Sequence, residues 1–265
     1  MGTYRAPVED MNFLIDEVLD AENVLGTIPD FADLGVGPEL TTALVDEAAK
    51  LAGDELAPLR RVGDEQPAVC KDGAVTASPG YDAALQQLGA GGWVGISSDP
   101  NYGGQGLPEI YNTVGHEMWN AANMALGLAP MLSSGAALAI HAHGSEQQKQ
   151  TYLEKMHTGE WMGTMNLTES GAGSDLGVMK CKAVPEGDHY RISGQKIYIT
   201  WGDHQATENI IHLVLAKLPD APEGSRGISL FIVPKFLVNE DGTLGDQERA
   251  TQAVSYTHLR AHETI

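Results

Sequence analysis

The chain has 265 residues, with 16 Lys+Arg against 36 Asp+Glu, a net charge of −20 and 42% hydrophobic residues. That composition fits a globular chain with a core, of one large domain or two ordinary ones at ~150 residues each. The acidic balance argues against nucleic acid or an anionic membrane as partner, and two cysteines are too few for a disulfide framework, which makes a reducing cytoplasm the expected setting.

The first part of the chain reads as helices. Asp10 is placed to cap a segment whose face carries Leu14, Val18 and Leu19. Pro38 opens a longer helix through Leu40, Leu44, Ala48, Leu51 and Leu56, expected to break at Pro58. Ser78-Pro79 predicts a helix start leading into Ala84, Leu85 and Leu88. Pro108 predicts another, through Tyr111, Val114 and Met118, and Met124 to His143 is small and apolar enough for a central buried helix. Ser145-Glu146-Gln147-Gln148 forms a capping-box pattern for a last helix ending near Gly159. No apolar run approaches the ~20 residues of a membrane span, so no membrane partner is expected. The start has no apolar h-region of a secretory signal.

From Trp161 the period becomes strand-like. The β-rich runs are Trp161–Thr168, Lys180–Val184, His189–Ser193, Lys196–Thr200, Ile210–Lys217 and Ile228–Val233, with a hairpin turn predicted at Glu186-Gly187-Asp188. Helices first and strands second imply an α+β chain, not a βαβ repeat. The expected divisions are an extension over 1–37, a helical domain over 38–158, a β-domain over 159–253 and a separate segment over 254–265.

Two stretches carry chemistry. Met165-Asn166-Leu167-Thr168-Glu169-Ser170-Gly171-Ala172-Gly173-Ser174-Asp175 runs from a strand into a Gly- and Ser-rich loop whose N–H groups can approach a ligand closely; a plain polar connection is the other reading. The spacing is neither a dinucleotide fingerprint nor a phosphate-binding loop with Gly-Lys-Ser/Thr. In Gly194-Gln195-Lys196-Ile197-Tyr198-Ile199-Thr200-Trp201-Gly202, strand alternation places Tyr198 and Thr200 on one face, toward a planar ligand or simply within a sheet. His141 and His143 read as satisfied residues at a helix end, and no Cys/His cluster has metal-ligand spacing.

Together, Thr168–Asp175 followed about twenty residues later by Gly194–Thr200 resembles the flavin-binding signature of the acyl-CoA dehydrogenases, a resemblance shared by Gly92-Trp93-Val94-Gly95-Ile96 and Pro100–Pro108 upstream. It covers about residues 38–235, and the segment from Tyr4 to Leu19 looks like an extension in a branch that includes 3-(methylthio)propanoyl-CoA dehydrogenases and some long-chain enzymes. The implied fold is an all-helical domain followed by an antiparallel β-barrel-like domain that is incomplete here, without the family's C-terminal helical domain. FAD is the implied cofactor, held by Met165, Asn166, Leu167, Thr168, Gly173, Ser174, Tyr198, Ile199 and Thr200. Thr168 and Thr200 would bond the flavin ring, Tyr198 would pack on it where most relatives have Trp, and Met165 would cover it. Ser174 would meet either the FAD pyrophosphate or the acyl-CoA, and Glu169 would orient its loop. The implied reaction is α,β-dehydrogenation of an acyl-CoA to a trans-2-enoyl-CoA, with electrons passed to an electron-transfer flavoprotein, in a homodimer or homotetramer. The general base, a Glu, is expected beyond residue 265, so no catalytic residue is assigned. Residues 254–265 resemble a translated sequencing adapter more than the family, and the chain by itself is expected to aggregate or bind flavin weakly through unpaired strand edges. An acyl-CoA oxidase and a non-catalytic flavin- or acyl-CoA-binding module are the alternative functions.

Overall fold

The computed structural model describes the backbone of residues 4–187, 189–239, 241–248, 251–253 and 258–263, and side chains up to residue 245. Among the described residues seven α-helices come first: α1 (Val8–Phe13), α2 (Ala21–Gly26), α3 (Pro38–Lys50), α4 (Ala57–Glu65), α5 (Tyr81–Ala90), α6 (Glu109–His143) and α7 (Glu146–His157). A short hairpin, β1 (Val69–Lys71) and β2 (Ala74–Thr76), interrupts them, turning on Asp72 and Gly73, both at positive φ. Asp-Gly is a strong two-residue hairpin signal, and it was passed over in the sequence because neither strand is long enough to show alternation.

Several helical boundaries differ from the sequence expectation. The first helix starts at Val8 and is continued by π-type turns over Leu14–Val18, so the buried face is Met11 and Ile15, while Leu14, Val18 and Leu19 lie about half exposed. Met11 and Ile15 are four residues apart and meet the core stripe Val45, Ala48 and Ala52. Pro58 does not end the long helix. The turns over Leu51–Leu56 widen to a π-type pattern just before it, and α4 then carries Pro58 in its first turn, where a missing N–H costs nothing. At α5 the cap is Gly80, with φ +81°, because Ser78-Pro79-Gly80 first makes a turn closed by Tyr81 N–H to Ser78 O at 3.1 Å. Ala84, Leu85 and Leu88 are buried as the pattern implied.

The stretches after Pro108 and Met124 join into the single α6, broken at Asn123, whose φ −156° and ψ 89° are not helical. Asn123 Oδ1 accepts from Leu126 N–H at 3.3 Å, so the residue caps the second half from inside the helix. At 35 residues α6 is, by length and composition, long and apolar enough to cross a membrane, which corrects the expectation from apolar runs alone. Here it is the central packing helix: Met118, Trp119, Leu126 and Ala129 are fully buried, and Met124, Met131 and Leu138 lie on its open side. The capping box of α7 forms as read, with Ser145 Oγ accepting from Gln148 N–H and Gln148 Oε1 accepting from Ser145 N–H.

Then follow β3 (Trp161–Asn166), β4 (Lys182–Glu186), β5 (His189–Ile197), β6 (Asn209–Lys217), β7 (Ile228–Pro234), β8 (Phe236–Val238), β9 (Leu244–Glu248), β10 (Thr251–Ala253) and β11 (His258–Glu263). The main sheet is mixed. β6 pairs β3 in parallel and β7 antiparallel, and β4 joins β6 in parallel at Lys182 and Lys217. The β4–β5 hairpin pairs Glu186 with His189 around Gly187 at φ +65°, the predicted turn; Asp188 lies outside the described residues. β5 is then paired by β11, and β11 by β10. An antiparallel barrel-like domain was expected; the parallel β3–β6 and β4–β6 pairings make it mixed, because β6 returns beside β3 after the chain has crossed through the β4–β5 hairpin. Of the segment expected to stand apart, residues 258–263 form β11, whereas 254–257 and 264–265 lie outside the described residues.

Three apolar clusters hold these layers. One fills the helical domain, a second joins Ala136, Ala137 and Ile140 of α6 to Leu153, Met156, Trp161, Ile211 and Leu213, and a third lies under the sheet around Cys181, Ile192 and Val214. Each such large side chain contributes about 1.5–3 kcal/mol on burial. Gly163 lets β3 approach α6: a Cβ there would stand 2.6 Å from Ala136 Cβ and 2.8 Å from Met156 Cε.

Candidate functional site

The end of β3 and the end of β5 meet. Ile197 N–H donates to Thr168 O at 2.9 Å, and Lys196 Nζ donates to Leu167 O at 3.0 Å. The two motifs, about twenty residues apart in the chain, therefore form one surface. Beneath it Glu169, 7% exposed, accepts from Lys180 N–H at 2.6 Å, Cys181 N–H at 3.0 Å and Lys196 Nζ at 3.0 Å. Burial alone would raise the Glu169 carboxyl, but hydrogen bonds from the Cys181 thiol, the two N–H groups and the ammonium outweigh it and hold it below the usual carboxylate range. Cys181 is pushed up to about 12, first by burial and then by Glu169, so its thiol stays protonated and unreactive.

The side chains around this junction divide into open and closed. Met165 (37% exposed) and Tyr198 (67% exposed) present apolar surface, and Gly173, Ser174 and Thr200 are exposed, while Leu167, Thr168 and Ile199 are half-buried. A Cβ added at Gly171 or Gly173 would meet nothing within 4 Å, so the loop backbone is open to a ligand. Asn166 faces the other way. Its side chain is buried with Thr164 and His212, taking the Thr164 hydroxyl proton at 2.7 Å, which leaves only its backbone near the junction.

Tyr198 and Thr200 are not on one strand face. β5 ends at Ile197, Tyr198 takes φ +57° and Trp201 φ +54°, so the segment Tyr198–Ala206 is a compact turn. The expected strand Lys196–Thr200 is thus the tail of the longer β5 and the start of that turn. Contacts with the helical domain override the strand propensity of Tyr-Ile-Thr-Trp. Trp201 Nε1 donates to Ala125 O at 2.8 Å, and its ring stacks with Tyr81 at 6.1 Å. Lys235 Nζ, at the end of β7, pairs with Asp203 Oδ1 at 2.7 Å and donates to His204 O. His204 is 2% exposed, and burial first, then the Lys235 charge, lowers it to about 3, so its ring is neutral.

Beside Ser174 an open cleft of about 370 Å³ is lined by Asp175, Gly177, Val178, Lys217, Glu223 and Gly224. Lys217 Nζ donates to Gly177 O at 2.7 Å and Asp175 Oδ1 accepts from Gly177 N–H at 2.9 Å, which fixes the turn after the loop. His141, one of the helix-end histidines, pairs through Nε2 with Asp99 Oδ2 at 3.1 Å. Among the described residues no group of three or more His, Cys, Asp or Glu is placed to hold a metal ion.

Sequence reasoning missed the Lys196–Glu169 pair and the Trp201, Asp203 and Lys235 anchors. A signal for the first existed: Lys196 lies at even spacing from Ile192 on β5, where the buried face calls for an apolar residue, and both are 1% exposed. Nothing local marks the others.

A helical domain feeding a mixed sheet, with an open Gly-rich loop joined to the end of β5, is the α+β frame on which the site is built. The chain belongs to the acyl-CoA dehydrogenase family: its residues 38–160 match the acyl-CoA dehydrogenase N-terminal domain and residues 164–259 the middle domain. It is 42% identical over 257 residues to 3-methylmercaptopropionyl-CoA dehydrogenase of Ruegeria pomeroyi, covering 97% of this chain and 43% of that protein. A butyryl-CoA dehydrogenase of Syntrophomonas wolfei is 37% identical, over 91% of this chain and 40% of its own length. Glutaryl-CoA dehydrogenase of Mycobacterium smegmatis shares the fold, with a TM-score of 0.65 at 19% identity over 98% of this chain and 57% of that one. An acyl-CoA dehydrogenase of Bacillus anthracis solved with FAD does so too, at TM-score 0.65 and 22% identity, over 84% of this chain and 35% of that one. The chain thus spans about two fifths of the length of the curated relatives named here.

Proposed function

We propose that this chain is the N-terminal and middle portion of an FAD-dependent acyl-CoA dehydrogenase that converts a short acyl-CoA to the trans-2-enoyl-CoA, with 3-(methylthio)propanoyl-CoA the first substrate to test. The observation that carries this reading is the junction itself, where Ile197 N–H meets Thr168 O and brings both motif segments to one open surface. The residues present fit FAD. Exposed Met165 and Tyr198 offer apolar cover for a planar ring, Thr168 and Thr200 supply hydroxyls, and Gly171 and Gly173 leave the loop backbone uncovered. When bound, FAD would supply hydride acceptance, chemistry that no side chain provides. Thr168 and Thr200 would orient the ring and stabilise charge developing on it. Gly173 and Ser174 would receive the FAD pyrophosphate or the acyl-CoA at the mouth of the Asp175–Glu223 cleft. The 42% identity to a 3-methylmercaptopropionyl-CoA dehydrogenase supports the substrate. An electron-transfer flavoprotein as acceptor, a homo-oligomer and a cytoplasmic location complete the proposal, the last resting on a chain with two cysteines, too few for a disulfide framework.

The test has two parts. FAD titrated into the full-length polypeptide, followed by quenching of flavin fluorescence, is expected to saturate at one flavin per polypeptide; no quenching overturns the flavin reading. The full-length polypeptide is then assayed with 3-(methylthio)propanoyl-CoA, butyryl-CoA and a branched acyl-CoA under nitrogen and in air. Rapid reoxidation by air would replace the dehydrogenase reading with that of an oxidase.

A further inference from the structure

Lys196 and Glu169 form a salt bridge at 3.0 Å with their side chains 1% and 7% exposed, an arrangement costly to build. Two apolar residues of similar volume would be as stable or more so. What they would lack is connectivity. The ammonium reaches Leu167 O as well as Glu169, and the carboxylate reaches the N–H groups of Lys180 and Cys181. Three stretches of chain are tied at one point: the end of β3, the far side of the Gly-rich loop, and the last turn-bearing residues of β5. Neither charged group is exposed enough to touch a ligand.

We propose that Glu169 and Lys196 are the positioning pair of the flavin surface, locking the Thr168–Asp175 loop to the end of β5 so that Thr168 and the Tyr198–Thr200 turn face one ligand in fixed register. This inference rests on the FAD reading above. A lysine at this point supplies what an apolar residue cannot, three donors on a compact charge. Removing one partner leaves the other charge buried and uncompensated, and the loop loses its anchor.

The experiment measures FAD affinity and the visible spectrum of bound flavin for the full-length polypeptide and for its Lys196→Met, Glu169→Gln, double and Lys196→Arg variants. Each neutralising single variant is expected to weaken FAD binding by about tenfold or more, because a charge left buried and unpaired frees the loop that would receive the flavin. At saturating FAD each is also expected to shift the flavin band, because the hydroxyls around the ring are no longer held in place. The double variant should lose less than the product of the two single losses, since the partners act as a unit. Lys196→Arg keeps the charge and should keep the wild-type band even where affinity falls, which preserves the test if a neutral variant does not fold. Singles with unchanged affinity and spectrum overturn the proposal. So does a loss that follows the melting temperature of the flavin-free chain with no change in the band, or an arginine variant as shifted as the methionine one. If the unaltered polypeptide takes up no FAD, the failure lies with the flavin reading itself.

Discussion

His204 shows how one buried ring sets an acid limit. Its Nδ1 accepts from Ala206 N–H at 3.1 Å, its Nε2 has no hydrogen-bond partner among the described residues, and Lys235 lies close enough to oppose its protonation. The unfolded chain takes up a proton below 6.5 and the native one only near 3, so the unfolded state binds more protons between those values. Stability therefore falls as pH drops through that window, by up to about 1.4 kcal/mol per pH unit from this residue. His204→Phe should remove that slope, so urea unfolding at pH 7 and again at about 4.5 should show the variant losing less than the wild type on acidification. At the surface, the proposed flavin reading predicts that Tyr198→Ala weakens FAD binding by roughly two- to tenfold in a fluorescence titration. Stability of the flavin-free chain should hardly change, because that side chain is 67% exposed.

Among the elements, α6 and β3 decide whether the two domains hold together. Gly163 is one close contact between them, and Gly163→Ala should cost about 1–3 kcal/mol in urea unfolding, since the added methyl must displace Ala136 or Met156 from a packed core. A larger alanine penalty at Gly163 than at Gly171, where a Cβ meets open space, distinguishes packing from a general loss of chain freedom. Asn123 sets the bend of α6. Its Nδ2 donates to Leu56 O at 3.2 Å while its Oδ1 takes Leu126 N–H, so Asn123→Ala leaves buried groups unpaired. A loss of about 1–3 kcal/mol is expected, with the near-ultraviolet signal of Trp201 altered because its bond to Ala125 O depends on that bend. The last of the element-scale anchors, Lys235–Asp203, fixes the turn after β5 from the opposite side, at the end of β7.

For the whole molecule, the charge of −20 predicts no retardation of duplex DNA at any salt concentration, and a gel shift would contradict it. The sequence by itself determined the class of the fold and its order. Helix periods give way to strand periods at Trp161, the Ser145–Gln148 box starts α7, and the Gly187 turn makes the β4–β5 hairpin. Those features rest on backbone preferences and hydrogen bonds between near neighbours, which a linear pattern records. Only the tertiary structure decided which face of α1 is buried, that Pro58 continues a helix, that β6 lies parallel to β3, that β5 stops at Ile197, and that Lys196 finds Glu169. The Lys196–Glu169 pair joins residues 27 apart and the Trp201–Ala125 bond residues 76 apart. Their energies exist only once the chain has folded back on itself, so local propensity gives way to them wherever the two disagree.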